Sequence, residues 1–175
     1  MVALRKGHCY TPVQRAYTRK SKYKKHAFIR SVPQNKIVKY HMGDTKKEFD
    51  YEINLVSKKA LQVRHNAIES SRQVVVRKLE KNLGSNFYFN VRLFPHHVLR
   101  ENKMITGAGA DRMQTGMQLA FGRAVGLAAQ VRTNQPIYTI RVNKEGVVKA
   151  KEALKMANAR LPGTYNIQVV ELKKH

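Results

Sequence analysis

The residues able to do chemistry fall in four places, and each one first has to be weighed as an active site. Asp44, Glu48, Asp50 and Glu52 are four of the chain's eleven acids and could hold a cation or share a proton. Yet Phe49, Tyr51, Ile53 and Leu55 alternate with Asp50, Glu52 and Asn54, so these carboxylates read as a solvated or Lys-paired face of a period-two strand. His96 and His97 are adjacent, and adjacent residues on a strand point to opposite faces. With Cys9 as the single thiol, no metal-ligand spacing forms around them. Ser70 and Ser71 lie in an amphipathic stretch with no nucleophile-elbow context. In Gly107-Ala-Gly109-Ala-Asp111-Arg112 an arginine stands where the dinucleotide fingerprint needs its third glycine, and no phosphate-loop Gly-Lys-Ser/Thr follows. No catalytic triad, metal centre or cofactor site assembles, and the chain reads as a binding protein rather than an enzyme.

The binding chemistry is clearer. Residues 1–40 carry eleven basic side chains and no acid: Arg5, Lys6, Arg15, Arg19, Lys20, Lys22, Lys24, Lys25, Arg30, Lys36 and Lys39. Tyr10, Tyr17, Tyr23, Phe28 and Tyr40 are interleaved among them. The plain reading of such a stretch is a solvated disordered tail; the preferred one is an extended arm that orders against RNA, its cations meeting phosphates while its rings stack on bases. It is expected to add little to the core. Residues 104–132 hold five of the ten glycines (Gly107, Gly109, Gly116, Gly122 and Gly126), with Asp111 as the one acid beside Arg112, Arg123 and Arg132. Glycine lets a neighbouring backbone approach closely, which suits a bulky anionic ligand; the same composition also suits a hairpin tip.

Whole-chain composition agrees. Thirty-four Lys and Arg against eleven acids leave a net charge of +23 over 175 residues. That excess repels itself unless a polyanion neutralises it. Nucleic acid is the leading partner, with an acidic membrane second. No apolar run is long enough to span a bilayer, the N-terminus lacks a signal-peptide apolar region, and one cysteine fits a reducing compartment; together these point to the cytosol.

The positioning elements follow from periodicity. Residues 43–56 read as a strand. Lys58 to Leu83 reads as a long helix, with Ser57 as its N-cap and Gly84 just past its end. Its apolar stripe takes in Ala60, Leu61, Ala67, Ile68, Val74, Val75 and Leu79, and Gln62 and Glu69 fall opposite. Arg64 and Arg72 border the stripe about two turns apart, where they either snorkel or clamp phosphate. Residues 86–94 form a strand with Phe87, Phe89, Val91 and Leu93 on one face. Residues 118–131 return as a strand interrupted by Gly122 and Gly126, which suggest bulges or close approach. Pro136 to Val142 is a further strand. Asn143 caps a second helix, Lys144 to Arg160, buried through Val147, Ala150, Leu154 and Ala157, and Tyr165 to Leu172 closes the chain. The expected fold is α+β, a two-layer α/β sandwich of a mainly antiparallel sheet with two helices. A basic arm over 1–40 precedes one sandwich domain over 41–175, from which a loop protrudes at about 101–115.

Read together, GAGADRMQTGM followed by AFGRAVGLAAQV resembles the signature of the universal L-sixteen family of large-subunit ribosomal proteins, called L-ten-e in archaea and eukaryotes. CYTPVQRAYTRKSKY, VPQNKIVKYHMGD and NFYFNVRLFPHHVLREN resemble it too, and the loop wording is of the archaeal kind. Met117-Gln118-Leu119-Ala120-Phe121 departs from the family, which has a basic and a small residue before Ala-Phe-Gly. The resemblance implies a non-catalytic protein docked on 23S rRNA, beside other large-subunit proteins and not as a homo-oligomer. It also implies that the loop, with Arg100, Lys103, Gly107, Gly109, Asp111 and Arg112, reaches toward tRNA acceptor ends. The rRNA contacts would come from the arm, principally Arg15, Arg19, Lys20, Lys22, Lys24, Lys25 and Arg30, joined by Arg5, Lys6, Arg64, Arg72 and Arg123. The rival readings are an RNA-processing enzyme, which needs acids or histidines gathered in one cleft, and a DNA-binding regulator, which lacks a helix-turn-helix pattern here.

Overall fold

Alternation of apolar and polar residues builds the larger of two sheets. The computed structural model describes residues 5–18, 23, 25, 29, 31–102 and 122–172. Strands β1 (His41–Gly43), β2 (Tyr51–Ser57), β4 (Tyr88–Val91), β7 (Pro136–Val142) and β8 (Tyr165–Glu171) pair antiparallel in the order β1-β4-β7-β2-β8. The register places Met42, Phe89, Ile140, Ile53 and Val169 in one apolar row across all five strands. Two helices cover this sheet. From α1 (His65–Leu83) come Ile68, Val75 and Leu79, and from α2 (Val147–Asn158) come Ala150, Ala153, Leu154 and Ala157, all fully buried in the same core. The alanines offer only methyl groups, which lets α2 lie close against α1 and the sheet. The buried Tyr138 hydroxyl donates to Ile68 O at 3.0 Å and meets Ser71 Oγ, so the core's polar atoms there are satisfied. Burial pushes the Tyr138 phenol far above its ordinary range.

A second antiparallel sheet, in the order β3-β6-β5, is made by β3 (Leu61–Arg64), β6 (Arg123–Val131) and β5 (His97–Glu101). It corrects three expectations. The first concerns the single long helix, which begins at His65 and not at Lys58. Leu61, Val63 and their register partners Val131 and Ala129 enter the main core as a period-two pattern. Leu61 is seven residues from Ile68, so it satisfies a helical stripe as well, and cross-strand pairing decides the matter. Ser57 is accordingly the buried last residue of β2, its hydroxyl donating to Lys59 O at 2.7 Å, and Ala60 is exposed. The second concerns Gln62 and Glu69, expected on a solvated face, which are buried. The third concerns the sheet itself, which is two sheets rather than one. Gly84 does end α1, at φ +59° with its N–H on Glu80 O at 3.0 Å. Asn143 makes no side-chain cap; a single 3-10 turn, Lys144–Gly146, leads into α2 instead. The bulge expected near Gly126 is present: Leu99 pairs with Gly126 but Arg100 with Ala124, leaving Val125 unpaired.

Ile68→Ala and Leu154→Ala should each cost about 2–5 kcal/mol, because both side chains are wholly enclosed. Val148→Ala, on the exposed side of α2, should stay within about 0.5 kcal/mol of the parent. Urea unfolding of the three variants checks the helix faces.

Candidate nucleic-acid interface

The basic N-terminal segment is strapped across the three-stranded sheet, and each crossing point is a specific hydrogen bond. Gln62 and Gln130 are register partners on β3 and β6, joined through Gln130 Nε2 and Gln62 Oε1 at 3.1 Å. Their amides donate to arm carbonyls, Gln62 Nε2 to Tyr10 O at 3.0 Å and Gln130 Nε2 to Gln14 O at 2.6 Å. The two outer strands of this sheet each give the arm a backbone N–H: Gln62 N–H to Thr11 O at 3.0 Å, and Val98 N–H to Tyr17 O at 3.1 Å. Tyr17 N–H in turn donates to His97 Nδ1 at 2.7 Å. The arm thus passes from the open edge of β3, over β6, to the open edge of β5. Beyond it, Ile29 is buried against Val98 and Leu127, and Ile37 enters the main core. The expectation that the arm adds little to the core is corrected: its backbone closes a sheet that would otherwise present two bare edges.

Cations and rings reinforce the strap. The Arg64 guanidinium lies 5.5 Å from the centre of the Tyr10 ring, and its NH1 donates to Arg5 O at 3.0 Å. Arg100 lies 3.7 Å from the centre of the Tyr17 ring. Arg5 approaches Glu101 at 3.9 Å. Lys6, Arg15, Lys25 and, on β6, Arg123 remain exposed. Arg72 is engaged within the fold. Its guanidinium is forked onto Glu69, Nε to Oε2 at 2.8 Å and NH2 to Oε1 at 2.6 Å, with its side chain only 11% exposed. Those bonds, above all, hold the Glu69 carboxyl below its usual range despite burial. Glu69 also accepts Val38 N–H at 3.3 Å, so the pair ties the incoming chain to α1. Arg19, Lys20, Lys22, Lys24, Arg30, Lys103, Gly107, Gly109, Asp111 and Arg112 lie outside the described residues.

The histidines have separate duties. His96 is exposed and its Nδ1 lies 3.2 Å from Phe94 O. His97 is buried, and burial first, then His96 and Arg100, push its ring below the ordinary imidazole range. Because Nδ1 accepts Tyr17 N–H, the ring is neutral with its proton on Nε2, and the downward shift agrees with this. Reading the sequence alone missed Gln62, Gln130 and His97 as the fixings of the arm. The available signal was an amide flanked by apolar residues at a strand position, as in Leu61-Gln62-Val63 and Ala129-Gln130-Val131; His97, which follows His96, carried none.

The arm runs into a segment that matches a known sequence family. The family model described as ribosomal protein L16p/L10e matches residues 15–168. The chain belongs to the ribosomal protein L16p/L10e family. Similar proteins, each described as large ribosomal subunit protein uL16, come from Methanococcus maripaludis strain C5 and Metallosphaera sedula. The first is 47% identical over 99% of this chain and 98% of its own length, the second 45% identical over 98% and 97%. A third, from Methanospirillum hungatei, is 44% identical over 92% of this chain and 91% of its own. As an L16p/L10e protein the chain is a structural constituent of the large subunit of the cytoplasmic ribosome, and not an enzyme. The sources of these relatives agree with the archaeal wording of the glycine-rich run.

The neutral His97 sets a pH dependence. A histidine with a depressed folded pKa contributes fully above the unfolded value of about 6.5, and that contribution is lost as pH falls through the folded value. Thermal stability should therefore drop between about pH 7.5 and pH 5, and drop less in His97→Gln, whose amide oxygen needs no deprotonation to accept from Tyr17. Melting curves of both proteins at the two pH values check the sign.

Proposed function

We propose that the chain docks on 23S rRNA through its strapped basic arm and presents its glycine-rich loop to the tRNA-binding region near the peptidyl-transferase centre. In this reading residues 1–40 are the rRNA-binding arm, and residues 41–175 form one sandwich domain with a loop protruding at about 101–115. The observation that carries it is the division of labour along the arm. Backbone carbonyls of Arg5, Tyr10, Thr11, Gln14 and Tyr17 are turned to the protein, while Lys6 and Arg15 stay exposed. A cation on an anchored backbone meets a phosphate without first losing chain entropy, so binding keeps more of its electrostatic gain. The acids offer little competition. Glu52 is held by Arg141 and Asn54, Glu69 by Arg72, and Glu101 by Arg5. Beside the rRNA, other large-subunit proteins and tRNA acceptor ends are the partners, and the chain acts as a single copy.

If about six to ten phosphates are neutralised, affinity for large-subunit rRNA should fall by roughly 10³- to 10⁵-fold between 50 and 200 mM salt. The double variant Lys6→Gln, Arg15→Gln should flatten the plot of log affinity against log salt by about 1.8, or about 0.9 for each lost phosphate. A slope equal to the parent's would remove these two residues from the interface. Replacing residues 107–113 by a Gly-Ser linker should leave assembly into large subunits intact and weaken their hold on tRNA acceptor ends. Subunits with the linker that bind tRNA and translate like the parent would reduce the loop to a spacer.

A further inference from the structure

Phe94 is 65% exposed, although Leu93 before it and Pro95 after it are buried. The ring is nonetheless held in place. It stacks on Tyr40, with centroids 6.1 Å apart and planes 28° from parallel. Tyr40 is fixed on three sides: Asn35 Nδ2 donates to its hydroxyl at 2.8 Å, Val91 N–H donates to its carbonyl at 2.8 Å, and its ring packs against the main core. The next residue repeats the arrangement. His41 stacks on Tyr88 at 6.1 Å and 22°, its Nδ1 is 2.7 Å from the Tyr88 hydroxyl, and Arg141 lies 5.8 Å from the Tyr88 ring centre. Two braced ring pairs therefore flank the start of β1, the edge strand of the large sheet.

The charge around them selects the partner. Residues 35–47 and 86–94 carry Lys36, Lys39, Lys46, Lys47 and Arg92 against Asp44 alone. Asp44 is occupied with the backbone N–H groups of Lys46 and Lys47, at 2.9 and 3.3 Å. Past the end of β4, exposure alternates over Arg92, Leu93 and Phe94 as exposed, buried, exposed, which sets the Arg92 cation on the same side as the Phe94 ring. An exposed ring on a rigid base, with the exposed cations Lys39 and Arg92 on the segments that carry the ring pair, fits a flat apolar group joined to an anion.

We propose that Phe94, seated on Tyr40, is a stacking platform for an unpaired RNA base, with Arg92 and Lys39 meeting the adjoining phosphates. The inference rests on the reading that the chain docks on rRNA, and it adds a site built without the strapped residues 5–18. Stacking takes any base, so the platform recognises the single-stranded state rather than a sequence. It gives the protein a means of telling a splayed loop from a continuous duplex, whose bases are already stacked.

The chain contains no tryptophan, so Phe94→Trp installs a unique fluorescent reporter at the platform. The probes are an unpaired RNA of about ten nucleotides and a duplex RNA of equal phosphate number, titrated into the full chain; a strand of that length falls within the span such surfaces cover. The single strand should quench the indole fluorescence of Phe94→Trp and the duplex should not. Phe94→Leu, which keeps apolar bulk but removes the ring, should bind the single strand roughly 5- to 100-fold more weakly. Its duplex affinity and its salt slope should match the parent's. Absence of quenching, or equal single-strand affinity in folded Phe94→Leu, would overturn the platform. So would an indole signal that changes only when other large-subunit proteins are added, because the ring's partner would then be protein. If the parent chain binds neither RNA at low salt, the rRNA-docking reading itself falls. Binding of both RNAs with no effect at Phe94 removes only the platform.

Discussion

The three-stranded sheet is the constraint on which the rest of the arrangement depends. One of its faces is secured by Leu61, Val63, Ala129 and Val131, which belong to the main core. The other carries Gln62 and Gln130, and among the described residues no further strand pairs with the outer edges of β3 and β5. A buried amide without a partner costs about 1–3 kcal/mol, and bare strand edges invite pairing with other chains. The arm answers both demands with its own carbonyls, at Tyr10, Thr11, Gln14 and Tyr17. A segment composed like a free polycation is thereby made part of the folded structure.

That arrangement also explains how so much positive charge is tolerated at particular places. Arg64 and Arg100 lie over Tyr10 and Tyr17, rings of the strap itself. The fork of Arg72 on Glu69 fastens the chain at Val38. These cations hold the strap and the incoming chain to the body. Others, such as Lys6, Arg15 and Arg123, are left exposed. The surplus of +23 is thus divided between cations that build the protein and cations available to a polyanion.

Much of this was legible in the residues, for reasons that differ by element. Phe87, Phe89, Val91 and Leu93 alternate strictly, and all four are buried. Ile68, Val75 and Leu79 mark the helix face, and Gly84 its end, because their spacing fits only one period. Leu61 to Arg64 misled because a four-residue strand running into a helix can satisfy both periods, and only its partner β6 decides. The two-sheet division was hidden for the same reason: it depends on pairing with residues far along the chain. At the interface, the acid-free composition pointed to the arm. The apolar flanks of Gln62 and Gln130 do not say which segment supplies their backbone carbonyls, and nothing local in His97 announces the backbone N–H it accepts. Arg72 was legible as a cation at the border of the stripe, but its fork on Glu69 was hidden because Glu69, three residues away, was placed on the opposite face of α1.

Amide hydrogen exchange on the free, full-length chain at neutral pH tests the central claim most directly, that the arm is docked before any RNA arrives. Gln62 and Val98 donate their backbone N–H groups to Thr11 and Tyr17 across the two sheet edges. Both amides should exchange slowly, close to the rate of neighbouring amides bonded within the sheet. Arm deletion through Tyr17 should release them selectively while Ile53 and Ile140 in the larger sheet stay protected. Fast exchange at Gln62 and Val98 in the intact free protein would contradict the account and return the arm to a tail that orders only on RNA.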